Sequence, residues 1–83
     1  MVMSPTNQAR IPLVFVPPGR QMLLAEFGAG LDPLQREQLA AYGLTENRPL
    51  LVLEQQPMTI VQAEHVEIAI EHTVARNIWV ESE

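Results

Sequence analysis

The chain has 83 residues, no cysteine, five arginines and no lysine, and ten carboxylates, for a formal net charge of −5. A domain this short hides only about 60–65% of its unfolded surface, so it builds one thin core and no large enclosed active site. Zero cysteine excludes a disulfide framework and a thiolate metal centre and fits a reducing compartment. The arginines, scattered at positions 10, 20, 36, 48 and 76, do not make the clustered basic patch that nucleic acid requires.

Residues 1–10 are polar, carry an early proline and show no period, and read as a flexible leader before a domain over 11–83. No secretory signal is expected, because Met1 to Ala9 lacks a basic residue and Ile11 to Val16 is short and ends in Pro17-Pro18. The apolar run Leu13 to Val16 is far below the length of a membrane span. The expected location is cytoplasmic, without membrane insertion.

Pro12 to Gly19 is a short apolar segment closed by proline and glycine, suited to packing on a core but not to a long central strand. Gln21 to Phe27 has strand length and ends at Gly28-Ala29-Gly30. The clearest helix signal follows: Asp32 as N-cap, Pro33 in the first turn, and Gln35 three residues after the cap as in a capping box. Gly43 stops this helix, and Leu44 can fold back on Leu39 as in a Schellman ending. Leu34, Leu39, Ala41 and Tyr42 are expected to be buried, with Arg36, Glu37 and Gln38 facing water.

Thr45 to Pro49 is a turn in which Asn47 best tolerates positive φ. Leu50 to Leu53 is apolar on both faces and reads as a central strand, interrupted by Gln55-Gln56-Pro57. Met58 to Ala63 and Val66 to Glu71 form a hairpin with Glu64-His65 at its tip. In its second strand Val66, Ile68 and Ile70 point inward, and Glu67, Ala69 and Glu71 outward. His72 to Arg76 suits a single turn, and Ile78 and Val80 alternate with Asn77, Trp79 and Glu81 in a last strand. About five short antiparallel strands with one short helix after the first long strand hide their edges best as a partly open barrel.

These landmarks, taken in order, resemble the ferrous iron transport protein A family, FeoA. They are Pro12-Leu13, Pro18-Gly19, the helix end Leu39-Ala40-Ala41-Tyr42-Gly43-Leu44-Thr45, the segment Leu50 to Pro57, then Ile68-Ala69-Ile70, Ala75 and Ile78-Trp79-Val80. The chain departs from the family pattern at Tyr42, at Glu46-Asn47 and at Glu64-His65. The resemblance implies a small mostly-β, Src-homology-3-like barrel and a cytoplasmic accessory protein of bacterial ferrous iron uptake that acts on the membrane GTPase transporter FeoB. The barrel is also similar to the C-terminal domains of iron-dependent repressors, which bind metal or a proline-containing peptide.

The residues themselves offer little chemistry. No hydroxyl sits in a nucleophile motif and no glycine-rich phosphate loop is present, so no enzyme is expected. His65 and Glu67 lie on the same side of an extended chain and, with Glu64, make a weak candidate metal cluster. It would take a divalent transition metal, Fe2+ or Mn2+, although no cofactor is required. His72 beside Glu71 is better explained by local capping than by metal ligation. Trp79 is expected outward, opposite Ile78 and Val80, either as a partner anchor or as cover for one barrel end or for the Pro12–Phe15 segment. Arg36, Glu37 and Arg48 complete the candidate docking residues, and an arginine entering a partner GTPase is the sharpest role open to Arg36 or Arg48. A peptide-binding barrel and oligomerisation by strand edges stay open.

Overall fold

The computed structural model describes residues 9–83. Its strands, all antiparallel, are β1 (Ile11–Pro12), β2 (Gln21–Phe27), β3 (Pro49–Glu54), β4 (Thr59–Ala63), β5 (Val66–Ile70) and β6 (Ile78–Ser82). Helix α1 (Pro33–Ala41) follows β2, and a one-turn helix α2 (His72–Ala75) precedes β6. They form one sheet in the order β1-β6-β2-β3-β4-β5, open between β1 and β5. Register shifts at Leu24/Glu26 and at Val52/Glu54 mark bulges, which bend a sheet and increase its twist. Inward residues from all six strands' neighbourhood then meet in a single core, with Leu24, Val52, Val61, Ile70, Ile78 and Val80 nearly or wholly excluded from water. Each such side chain contributes about 1.5–3 kcal/mol on burial.

The sixth strand, beyond the five expected, is the two-residue pairing of Ile11 with Val80 and Pro12 with Trp79. Proline is tolerated there because β1 lies at a sheet edge. Leu13 to Phe15 then form a 3-10 turn that buries Leu13 and leaves Phe15 exposed. Residues 1–8 of the expected leader lie outside the described residues. Its last residue, Arg10, pairs with Glu26 at 3.0 Å and with Glu81 at 3.5 Å.

Both ends of α1 are fixed by short-range chemistry. The Asp32 carboxylate accepts from the Gln35 N–H at 2.8 Å, and the Gln35 side chain accepts from the Asp32 N–H at 3.1 Å, completing the capping box. At the far end Leu44 N–H donates to Leu39 and Gly43 N–H to Ala40, each at 3.0 Å, with Gly43 at φ +101°; this is a Schellman ending.

The face that α1 buries differs from the expected one. Leu39 is buried, but Leu34 is 61% and Tyr42 55% exposed, and Ala41 is also exposed. At about 100° per residue, Leu34 lies about 140° and Ala41 about 200° around the helix from Leu39, so the three cannot share one side. Tyr42 is the C-cap, where the helix has already ended. Val66, expected inward, is also exposed. A Cβ on Gly43 would lie 3.6 Å from that of Ala63, so the helix end covers Ala63 on β4. Val66, opposite Ala63 on the edge strand, is left uncovered.

The turn after α1 uses Asn47 at φ +70°, and its N–H donates to the Leu24 carbonyl at 2.8 Å. The β4–β5 hairpin turns through Glu64 at φ +58°. Among the described residues, no helix is long and apolar enough to cross a membrane.

Candidate functional site

The interior is occupied by aliphatic side chains, so the chemistry available for function lies on the outside. Two of the expected docking residues converge on one backbone point. Arg36 Nη2 donates to the Gly28 carbonyl at 3.3 Å. A Cβ built on Gly28 would lie 3.2 Å from Trp79 Nε1 and 3.1 Å from the Asn77 carbonyl oxygen. The approach is tight, since Gly28 N–H also donates to that Asn77 carbonyl at 2.6 Å, and a side chain here would push its neighbours back by a few tenths of an ångström. Trp79 is consequently half-buried, its indole beside Gly28 and its backbone opposite Pro12 and Glu26 on the two flanking strands. Glu37 is exposed on α1, away from any ion pair among the described residues.

Arg48, just before β3, pairs with Glu64 at the end of the adjacent strand β4, on the hairpin tip. Glu64 of the expected metal cluster is thus ion-paired to an exposed arginine. His65 and Glu67 are exposed, and among the described residues no three His, Asp or Glu side chains gather in a group able to hold a metal ion.

His72 has a structural partner of longer range than the local cap expected of it. Its Nε2 lies 2.7 Å from the Gln55 carbonyl oxygen, which can only accept, so Nε2 carries the hydrogen. Gln55 is the hub of a polar cluster that reaches inside. Its amide nitrogen donates to the carbonyls of Leu13 at 2.9 Å and Val16 at 2.7 Å, and its amide oxygen accepts from the fully buried Thr59 hydroxyl at 2.7 Å. Among the described residues no buried side-chain polar atom lacks a partner.

A cleft that sequence reasoning missed opens between α1 and the edge strand β5. Gln35, Gln38 and Tyr42 line one side, and Ile68, Ala69 and Ile70 the other, enclosing about 250 Å³; Glu71 and Val74 close its end. That volume is smaller than the roughly 300–1,000 Å³ of small-ligand pockets. No local signal announces it: the α1 side that lines it is Gln35, Gln38, Leu39 and Tyr42, and the opening depends on the distance between α1 and β5.

The FeoA domain model matches residues 11–82. The chain belongs to the FeoA family. A crystal structure of an iron uptake regulatory protein (FeoA) superposes with a TM-score of 0.74 at 27% identity, covering 88% of this chain and 96% of that one. The solution structure of FeoA from Chlorobium tepidum gives 0.78 at 21% identity, over 87% and 70%. The same fold occurs in longer proteins. A manganese-dependent transcriptional repressor gives 0.81 at 21% identity over 93% of this chain, and T. acidophilum IdeR gives 0.80 at 17% over 90%. This chain spans 44% and 35% of those two proteins. A search of curated proteins gives no match. The fold is thus the small Src-homology-3-like barrel expected from the FeoA resemblance, and the FeoA domain implies involvement in ferrous iron transport. Domains of this family are non-enzymatic and accessory.

Proposed function

We propose that this chain is an accessory protein of bacterial ferrous iron transport that works by docking its outer surface on the cytoplasmic part of a FeoB-like membrane GTPase transporter. The observation that carries this reading is the FeoA match over residues 11–82 on a barrel whose interior is filled by aliphatic side chains. What such a barrel offers a partner is its exterior: the Trp79–Gly28–Arg36 corner, Glu37 on α1, the Arg48–Glu64 pair, and the uncovered apolar side chains Leu34, Tyr42 and Val66. Aromatic and arginine side chains flanked by polar rims are typical interface anchors.

The test is genetic and biochemical. A deletion strain should lose ferrous iron uptake and regain it with the wild-type chain, and the purified protein should bind the transporter's cytoplasmic domain. Normal uptake in the deletion strain together with no binding in any nucleotide or iron state would reject the reading.

A further inference from the structure

We propose that the cleft between α1 and β5 receives an extended partner segment in which apolar and basic residues alternate, added as a further strand along β5. This refines the docking reading above, resting on it only in placing function on the outer surface.

The backbone supplies the first argument. Among the described residues β5 pairs with β4 and with no other strand, which leaves one of its edges without a strand partner there. The two-residue tip closes on the Ala63–Val66 pair, which in a hairpin of this length is hydrogen-bonded. By alternation Val66, Ile68 and Ile70 direct their N–H and C=O groups to β4, and Glu67 and Ala69 direct theirs to the free edge. An unpaired row of this kind is a template for strand addition.

The side chains supply the second. A strand laid beside β5 shares its faces. Its inward positions would meet Leu39, Ile68 and Ile70 on the cleft floor, which accept apolar side chains. Its outward positions would meet Glu67 and Glu71, both exposed and neither ion-paired among the described residues. The helix side of the cleft adds the uncharged Gln35, Gln38 and Tyr42 and no cation. The charge therefore calls for lysine or arginine on the outward positions of the added strand.

The same charge argues against a second copy of this chain. Two β5 strands paired antiparallel about Ala69 would set Glu67 of each opposite Glu71 of the other, and like charges directly opposite are destabilising.

The experiment is an amide chemical-shift titration of the full chain with a short, end-blocked peptide alternating lysine and leucine, and with its glutamate–leucine counterpart. The lysine peptide should shift amides of residues 66–71 and 35–42, and the glutamate peptide should leave them unmoved. The exposed double variant Glu67→Lys/Glu71→Lys should weaken the lysine peptide about tenfold or more and reverse the preference. Ala69→Pro, which removes an edge donor and leaves the β4 ladder intact, should weaken it with the β4–β5 amide pattern retained. Equal binding of both peptides, binding that survives the charge reversal, shifts confined to another surface, or self-association of the wild type through β5 would each overturn the proposal. Transporter binding with no response to the lysine peptide would overturn this proposal alone, and a peptide response without transporter binding would overturn the docking reading alone.

Discussion

The Gln55 side-chain amide reaches 42 positions back along the sequence to hold the Leu13 carbonyl at 2.9 Å. With the Val16 carbonyl and the Thr59 hydroxyl on the same amide, this contact ties the 3-10 turn after β1 to the loop between β3 and β4. The opening segment thereby becomes part of the barrel wall.

Gln55→Ala leaves two carbonyls without that donor and a buried hydroxyl without its acceptor. Urea denaturation should show a loss of about 2–3 kcal/mol, and the melting temperature should fall by about 10–20 °C in a domain of this size. Thr59→Val alone should cost about 1 kcal/mol or less, and the double variant should cost less than the sum, because both remove one bond. Additive losses would show that the hub does not act as a unit.

The two helix ends should be separable. Asp32→Ala removes the N-cap acceptor and should cost about 1 kcal/mol. Gly43→Ala should cost about 1–2 kcal/mol through the left-handed backbone alone, because the nearest atom to an added Cβ lies 3.6 Å away. Gly43→Asn should recover part of that loss, since asparagine tolerates this region best among non-glycine residues. A loss from alanine that asparagine does not reduce would place the cost in packing instead.

Leu34 and Leu39 sit on one helix and should behave oppositely. Leu34→Ser should change stability by no more than about 0.5 kcal/mol, as befits a side chain left 61% exposed. Leu39→Ala should cost about 2–3 kcal/mol or more. If the transporter surface includes α1, Leu34→Ser should weaken partner binding with the fold unchanged. Equal destabilisation by the two would mean that the helix buries a wider face.

The Arg48–Glu64 pair joins two exposed side chains. Arg48→Ala should therefore alter folding stability by less than about 1 kcal/mol. Calorimetric titration with manganese or anaerobic ferrous iron should give the same heats for wild type and His65→Ala. A heat lost on removing His65 would restore the hairpin tip as a metal site.

Features written in local chemistry were legible from the sequence. Asp32, Gln35, Gly43 and Leu44 specify α1 within a dozen positions, Asn47 announces its turn through backbone preference, and the Glu64-His65 tip is legible only from the two strand-like runs that flank it. The barrel's core could be read from the alternation at Ile68, Ile70, Ile78 and Val80. Long-range closure could not. Nothing near Gln55 signals that its amide meets Leu13, and nothing near Ile11-Pro12 signals that it pairs with β6. Alternation sets Trp79 opposite Ile78 and Val80, but its half-burial depends on Gly28 arriving beside the indole from another strand's end. The apolarity of Leu34 and Ala41 points them to the core, but their angles around the helix place them elsewhere. The cleft beside β5 is lined on the helix side by Gln35, Gln38, Leu39 and Tyr42, not by Leu34 or Ala41, and depends on where α1 stands against the sheet, which no local pattern encodes.

The docking proposed above sets this barrel's outer surface against the transporter's cytoplasmic part. The most direct measurement is an amide chemical-shift titration of the labelled chain with the transporter's soluble cytoplasmic domain, repeated with and without nucleotide and ferrous iron. The account predicts saturable shifts at exposed positions, among them α1 and β5, with the amides of Val52, Val61 and Ile78 unchanged. Spectra that stay the same in every nucleotide and iron state would contradict it.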